Sequence, residues 1–173
     1  MENWYAVRVT YGREMKFQEM LRGEGFETFV PMTVRRSDSS VNARVCMVPA
    51  VSNLLFVRSS QQCLYEYFRS LGEGCPARFI WDKGTREPIT VPDKAMEDFI
   101  TVSQALLEDN IYFTELSSKL REGRKVRVLS GPFAGVEGRI VRIRRSRRIL
   151  VEIPGMLSVA ATFIPSDNLD FVE

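Results

Sequence analysis

Apolar and polar positions alternate along residues 4–10, with Tyr5, Val7 and Val9 on one side and Trp4, Ala6 and Arg8 on the other, the period of a β-strand. After a turn at Tyr11 and Gly12 the period changes. Phe17, Met20 and Leu21 make a helical stripe over residues 13–24, and Gly25 closes it. Residues 27–34 regain strand character, with Pro31 marking an edge or a bulge. The polar run 35–42 predicts a mobile hairpin tip, and residues 45–57 predict one or two strands interrupted by Pro49 and Asn53. Ser59 and Gln62 have capping-box spacing for a second helix, which carries Leu64, Tyr67, Phe68 and Leu71 on one face and stops at Gly72. A short strand over 77–81 and a turn over 82–88 follow. Pro92 then precedes a third helix, about 93–107, with Met96, Phe99, Ile100 and Leu107 inward.

The order β-α-β-β-α-β-α predicts an antiparallel sheet with two helices on one face, a ferredoxin-like α+β domain over residues 1–108. Residues 109–122 read as a linker, yet Ile111, Tyr112, Phe113 and Leu116 are too apolar for a free one, so part of it should dock. Beyond residue 123 the periodicity is all strand: 126–129, 138–143, 149–153, 158–164 and 169–172. Such short strands predict a small closed barrel, because closure removes exposed edges. Its first turn is built on Gly131, Pro132 and Gly135, where the glycines supply positive φ. Gly138 marks a bulge or a close backbone approach.

Composition narrows the chemistry. The chain of 173 residues has no histidine, which removes His-based acid–base catalysis, Ser-His and Cys-His nucleophiles and most zinc sites. Cys46, Cys63 and Cys75 show no C-x-x-C spacing, so reduced, partly buried thiols are expected, with neither metal nor cofactor and no enzymatic activity. No stretch has the length of a membrane span, and a soluble cytoplasmic monomer is expected. Charge is uneven: residues 121–173 hold 10 Lys/Arg against 6 Asp/Glu, leaving 14 against 16 in residues 1–120. The C-terminal part is therefore the better match for a polyanion.

The glycine-rich strand–turn–strand over 126–143 resembles a KOW motif, found in SH3-like barrels of the gene-expression machinery. Trp4-Tyr5-Ala6-Val7, Thr28-Phe29-Val30-Pro31, the segment from Pro49 to Val57 and the segment from Pro88 to Pro92 resemble, in order, the N-terminal domain of NusG-family transcription factors. Val51, Ser52, Asn53 and Leu54 replace the family's usual F-P-G-Y, and Asn53 is shared with operon-specific paralogues. With its short N-terminus, compact length and 35–42 loop, the chain looks most like the UpxY group, antiterminators of capsular-polysaccharide operons. A housekeeping NusG-type elongation factor and a ribosome-associated KOW RNA-binding protein are the alternatives.

The resemblance implies that an apolar concavity of the N-terminal domain holds the RNA polymerase clamp helices. By position its residues are Trp4, Leu54, Phe56, Phe79 and Trp81, with Leu54 and Phe56 as the exposed pair of their strand. Arg8, Arg13 and Lys16 fall where specialised paralogues touch the displaced non-template DNA, and nascent RNA is the other nucleic acid within reach. In the barrel, Phe133 with Arg142, Arg144, Arg145, Arg147 and Arg148 is the candidate partner surface, for a small-subunit ribosomal protein, Rho or a nucleic-acid backbone. Some paralogues refold this barrel into a helical hairpin. Here Pro132, Pro154 and Pro165 and the Val/Ile alternation predict strands instead.

Overall fold

The computed structural model describes residues 1–36, 44–105, 109–161 and 165–172. The elements in chain order begin β1 (Asn3–Val9), α1 (Glu14–Gly23), β2 (Glu27–Phe29), β3 (Met32–Arg36), β4 (Val45–Pro49), β5 (Leu54–Ser59) and α2 (Gln61–Ser70). They continue β6 (Ala77–Phe79), β7 (Thr90–Val91), α3 (Asp93–Gln104), β8 (Ile111–Phe113) and α4 (Ser118–Arg121). The last are β9 (Arg124–Val128), β10 (Glu137–Ile143), β11 (Ser146–Ile153), β12 (Leu157–Ala160) and β13 (Leu169–Phe171). Two compact units result, Met1–Met32 with Pro49–Asp93, and Thr33–Val48 with Lys94–Glu173.

In the first unit the sheet runs β2-β5-β1-β6, with β7 also paired to β1. Pairing of β1 with β5 is antiparallel, placing Ala6 opposite Phe56 and Val7 opposite Leu55. Alternation then sorts the faces. Tyr5, Val7, Val9, Leu55 and Val57 share one face and pack with Phe17 and Leu21 of α1 and Leu64 of α2. Both helices thus lie on the same face, as the α+β pattern requires. The cap of α2 is Ser60 rather than the predicted Ser59: its hydroxyl accepts the Cys63 N–H at 3.2 Å. The expected hairpin tip 35–42 is flanked by β3 and β4, which pair with each other, and residues 37–43 lie outside the described residues.

The second unit holds an antiparallel path of six strands, β13-β9-β10-β11-β12-β8. Strands β9, β10 and β11 cover the stretch where a helical hairpin was the rival conformation. Among the described residues the path has two ends, β13 and β8, where the sequence predicted a closed ring of five strands. The sixth strand comes from the expected linker: β8 pairs with β12, placing Tyr112 opposite Val159. Its physical reason is apolar cover. Ile111, Phe113, Leu116 and Leu120 pack on Val141, Leu150 and Ala160, a sheet face that would otherwise meet water.

In the KOW turn, Gly131 and Gly135 take φ of 86° and 85°. Gly135 N–H donates to the Val128 carbonyl at 2.8 Å and Val128 N–H to the Val136 carbonyl at 2.9 Å, closing the loop. At Gly138 a Cβ would stand 2.6 Å from the Leu150 carbonyl oxygen, the predicted close approach. Helix α3 is tied to this turn, since Lys94 donates to the Gly135 carbonyl at 2.9 Å and buried Asp98 accepts the Glu137 N–H at 3.2 Å.

Candidate functional site

The first unit carries an open groove of about 630 Å³ at the C-terminal end of β1. Arg8, Tyr11 and Gly12 form one wall and Ser52 and Asn53 the other. Its walls are held by a small set of bonds. Val9 N–H donates to the Asn53 carbonyl at 3.0 Å, and Thr10 N–H to the Pro76 carbonyl at 3.0 Å. Glu14, buried at the start of α1, accepts the Asn53 N–H through its carboxylate. Asn53 has φ of 64°, a left-handed conformation open to Gly and Asn and costly for other residues. That explains why Asn can stand where the family pattern has Gly.

Tyr11 is the residue that sequence reasoning missed. It has φ of 62° and is 86% exposed, an aromatic ring held in water by a strained backbone. The Arg13 guanidinium lies 5.6 Å from the centre of the ring. Arg8, Arg13 and Lys16 are all exposed, and the groove brings Arg8 and Tyr11 together, with Arg13 stacked on Tyr11. Lys16 stands on the first turn of α1, outside the groove lining. A basic rim around a presented aromatic face suits a single nucleic-acid strand, with phosphates on the cations and a base on the ring. The available signal was Tyr11 next to Gly12 directly after a strand, since an aromatic in a glycine turn has no core to enter.

The five apolar residues predicted as one concavity do not form one surface. Trp4, Leu54 and Phe56 are 4%, 6% and 0% exposed, so the expectation that Leu54 and Phe56 form the exposed pair fails. Phe56 stands between Ala6 on β1 and Phe29 on β2, inside an apolar row, and both faces of the sheet are buried. Phe79 lies opposite Val7 and therefore belongs to the other face, half-buried against Tyr5 and Phe68. Trp81, two residues further, is 56% exposed and meets Phe79 edge-on at 6.4 Å. The two-residue period of a strand separates the two sets.

In the second unit Phe133 is buried in the KOW loop and is a core residue, not a contact surface. Arg142, Arg144, Arg145 and Arg147 are exposed, whereas half-buried Arg148 donates to the Asp109 carbonyl at 2.7 Å and fastens the start of the β8 segment. Of the thiols expected to be partly buried, Cys46 and Cys63 are exposed and Cys75 is half-buried. Among the described residues no cluster of acidic or thiol side chains could hold a metal ion, and no helix is long and apolar enough to cross a membrane.

The sequence model described as transcription termination factor nusG matches residues 2–100. The chain belongs to the NusG family. A KOW motif matches residues 122–152 of this NusG-family protein, over the turn described above. Its fold is similar to a solved structure of Thermotoga maritima NusG, studied for its domain interaction, with TM-score 0.48 and 17% identity over 100% of this chain and 98% of that one. No curated protein matches the sequence.

Proposed function

We propose that this NusG-family protein is an elongation factor of the antitermination type, which binds RNA polymerase through its N-terminal region and suppresses pausing or termination, in a polysaccharide-type operon. The observation that carries this reading is the family match over residues 2–100 followed by a KOW motif over 122–152. The docking face for the clamp helices is the row Trp4, Leu54 and Phe56, and engaging it requires that row to be uncovered. A contiguous apolar strand face with aromatic anchors is what a helix tip needs. The groove of Arg8, Tyr11 and Asn53 receives the displaced DNA strand, its ring stacking a base and its cations meeting phosphates. The operon-specific assignment rests on Asn53 in the position where the family's usual residue is Gly.

Capture of the cognate polymerase core enzyme by wild type, Leu54→Ala and Trp81→Ala proteins tests the docking face. Thermal melts confirm that each variant is folded. The proposal expects Leu54→Ala to weaken capture about tenfold or more and Trp81→Ala to leave it unchanged. The reverse pattern would move the contact to the Trp81 face, and two unaffected variants would overturn apolar docking altogether.

A further inference from the structure

The hairpin joining β10 to β11 is built against its own stability. Arg142 stands directly opposite Arg147 in the ladder, and Ile143 opposite Ser146, which leaves Arg144 and Arg145 as a two-residue turn. Both turn residues have positive φ, 48° and 68°. That is the signature of a type I′ turn, for which Asn-Gly is the favoured pair. Each arginine there carries the backbone cost of a left-handed conformation. Like charges facing each other across a ladder add to it.

None of Arg142, Arg144, Arg145 and Arg147 has a carboxylate partner among the described residues. The neighbouring arginines differ. Arg139 donates to the Gly123 carbonyl at 3.2 Å, and Arg148 to that of Asp109. Two guanidiniums of this strand pair are thus structural, and four are free at one tip. No aromatic or exposed large apolar side chain lies on the hairpin: Ile143 is half-buried and Ile149 is buried. The tip therefore offers charge and fork-shaped donors, without a stacking platform or an apolar anchor.

We infer that this tip is a binding site for the sugar–phosphate backbone of a nucleic acid, independent of sequence and separate from the Tyr11 groove. Oriented guanidiniums pair with phosphate oxygens in a bidentate fashion, and with no aromatic or apolar side chain on the hairpin to hold an unstacked base, the backbone is the part of the strand they meet. The strained turn holds two of the four forks outward where an Asn-Gly turn would hold none. This inference does not depend on polymerase binding.

The test uses the full chain, labelled single-stranded RNA and DNA oligomers of two unrelated sequences, and a DNA duplex, each titrated between 50 and 200 mM salt. Four phosphate contacts to a single strand predict an affinity loss of about fiftyfold over that range, and two contacts about sevenfold. The double variant Arg144→Asn/Arg145→Gly should melt at a higher temperature than wild type and shift from the first figure to the second. Arg142→Gln/Arg147→Gln, which leaves the turn alone, should show the same reduced salt dependence. Both variants keep Arg8, Tyr11 and Arg13 and two of the four tip arginines, so the binding that remains reports the groove together with the remaining tip pair. Comparison of the RNA, DNA and duplex arms identifies which backbone is preferred. Unchanged salt dependence in both variants would overturn the site. A lower melting temperature for the Asn-Gly variant would overturn the strain. Tenfold or greater discrimination between the two sequences, if lost in both variants, would overturn sequence-independent binding.

Discussion

Asn53 shows how much a single backbone conformation decides. Its φ of 64° and its N–H bonded to buried Glu14 set one wall of the groove. Asn53→Gly should retain the fold, whereas Asn53→Val should lose roughly 1–2 kcal/mol in denaturant titration, because a β-branched side chain resists the left-handed region. Gly138 is the complementary case, an extended residue with no room for a methyl group. Gly138→Ala should cost about 1–3 kcal/mol, since the obstacle at 2.6 Å is a backbone carbonyl that cannot rotate away. The need for glycine there was legible from the KOW pattern. The left-handed Tyr11, Arg144 and Arg145 were not, because nothing in their residue types announces positive φ.

Asp82 adds a pH dependence at the same scale. Its carboxylate accepts the N–H groups of Thr85 at 2.8 Å and Gly84 at 2.7 Å, and these bonds, Thr85 first, hold its pKa below the usual carboxylate value. Folding therefore favours the ionised form. The stabilisation is complete above the unfolded pKa of about 3.9 and disappears as pH falls through the lower folded value. Melting temperatures of wild type and Asp82→Ala should differ most near neutral pH and converge in acid. A gap that stays constant across the titration would contradict the assignment.

Among elements, the segment between the two matched motifs departs most from expectation. The apolar character of Ile111, Tyr112, Phe113 and Leu116 was visible, but its destination was not, because a three-residue strand has too short a pattern to announce a partner. The structure makes it the edge strand β8, and Asn110 just before it donates to the carbonyls of Val102 and Ala105 at 3.0 and 2.9 Å at the end of α3. A helix terminus leaves its last carbonyls without their usual i+4 partners, and that of Val102 accepts the Ala105 N–H at 3.3 Å as well. Asn110→Ala should cost about 1–3 kcal/mol of stability, and hydrogen exchange should quicken in the last turn of α3 while the turn over Gly131 and Gly135 stays protected. Alternation did place Tyr5, Val7 and Val9 together on one side of the first strand, and they share one buried core cluster. It could not tell that the opposite face of the same sheet is buried too, since period alone distinguishes the faces without saying what covers them.

At the scale of the molecule, ordered short motifs carried the family: no single one is specific, yet Trp4-Tyr5-Ala6-Val7, the segment from Pro49 to Val57 and the KOW turn in sequence point to one place, and the family match over residues 2–100 agrees. The polymerase surface and the nucleic-acid contacts are proposals built on that membership. The most direct test of the central claim is in vitro transcription by the cognate RNA polymerase through a leader region containing a pause and a terminator. The proposed function predicts that adding the protein shortens the pause and raises read-through, and that Leu54→Ala at equal concentration loses most of the effect. Pausing and read-through identical with and without the wild-type protein would contradict it.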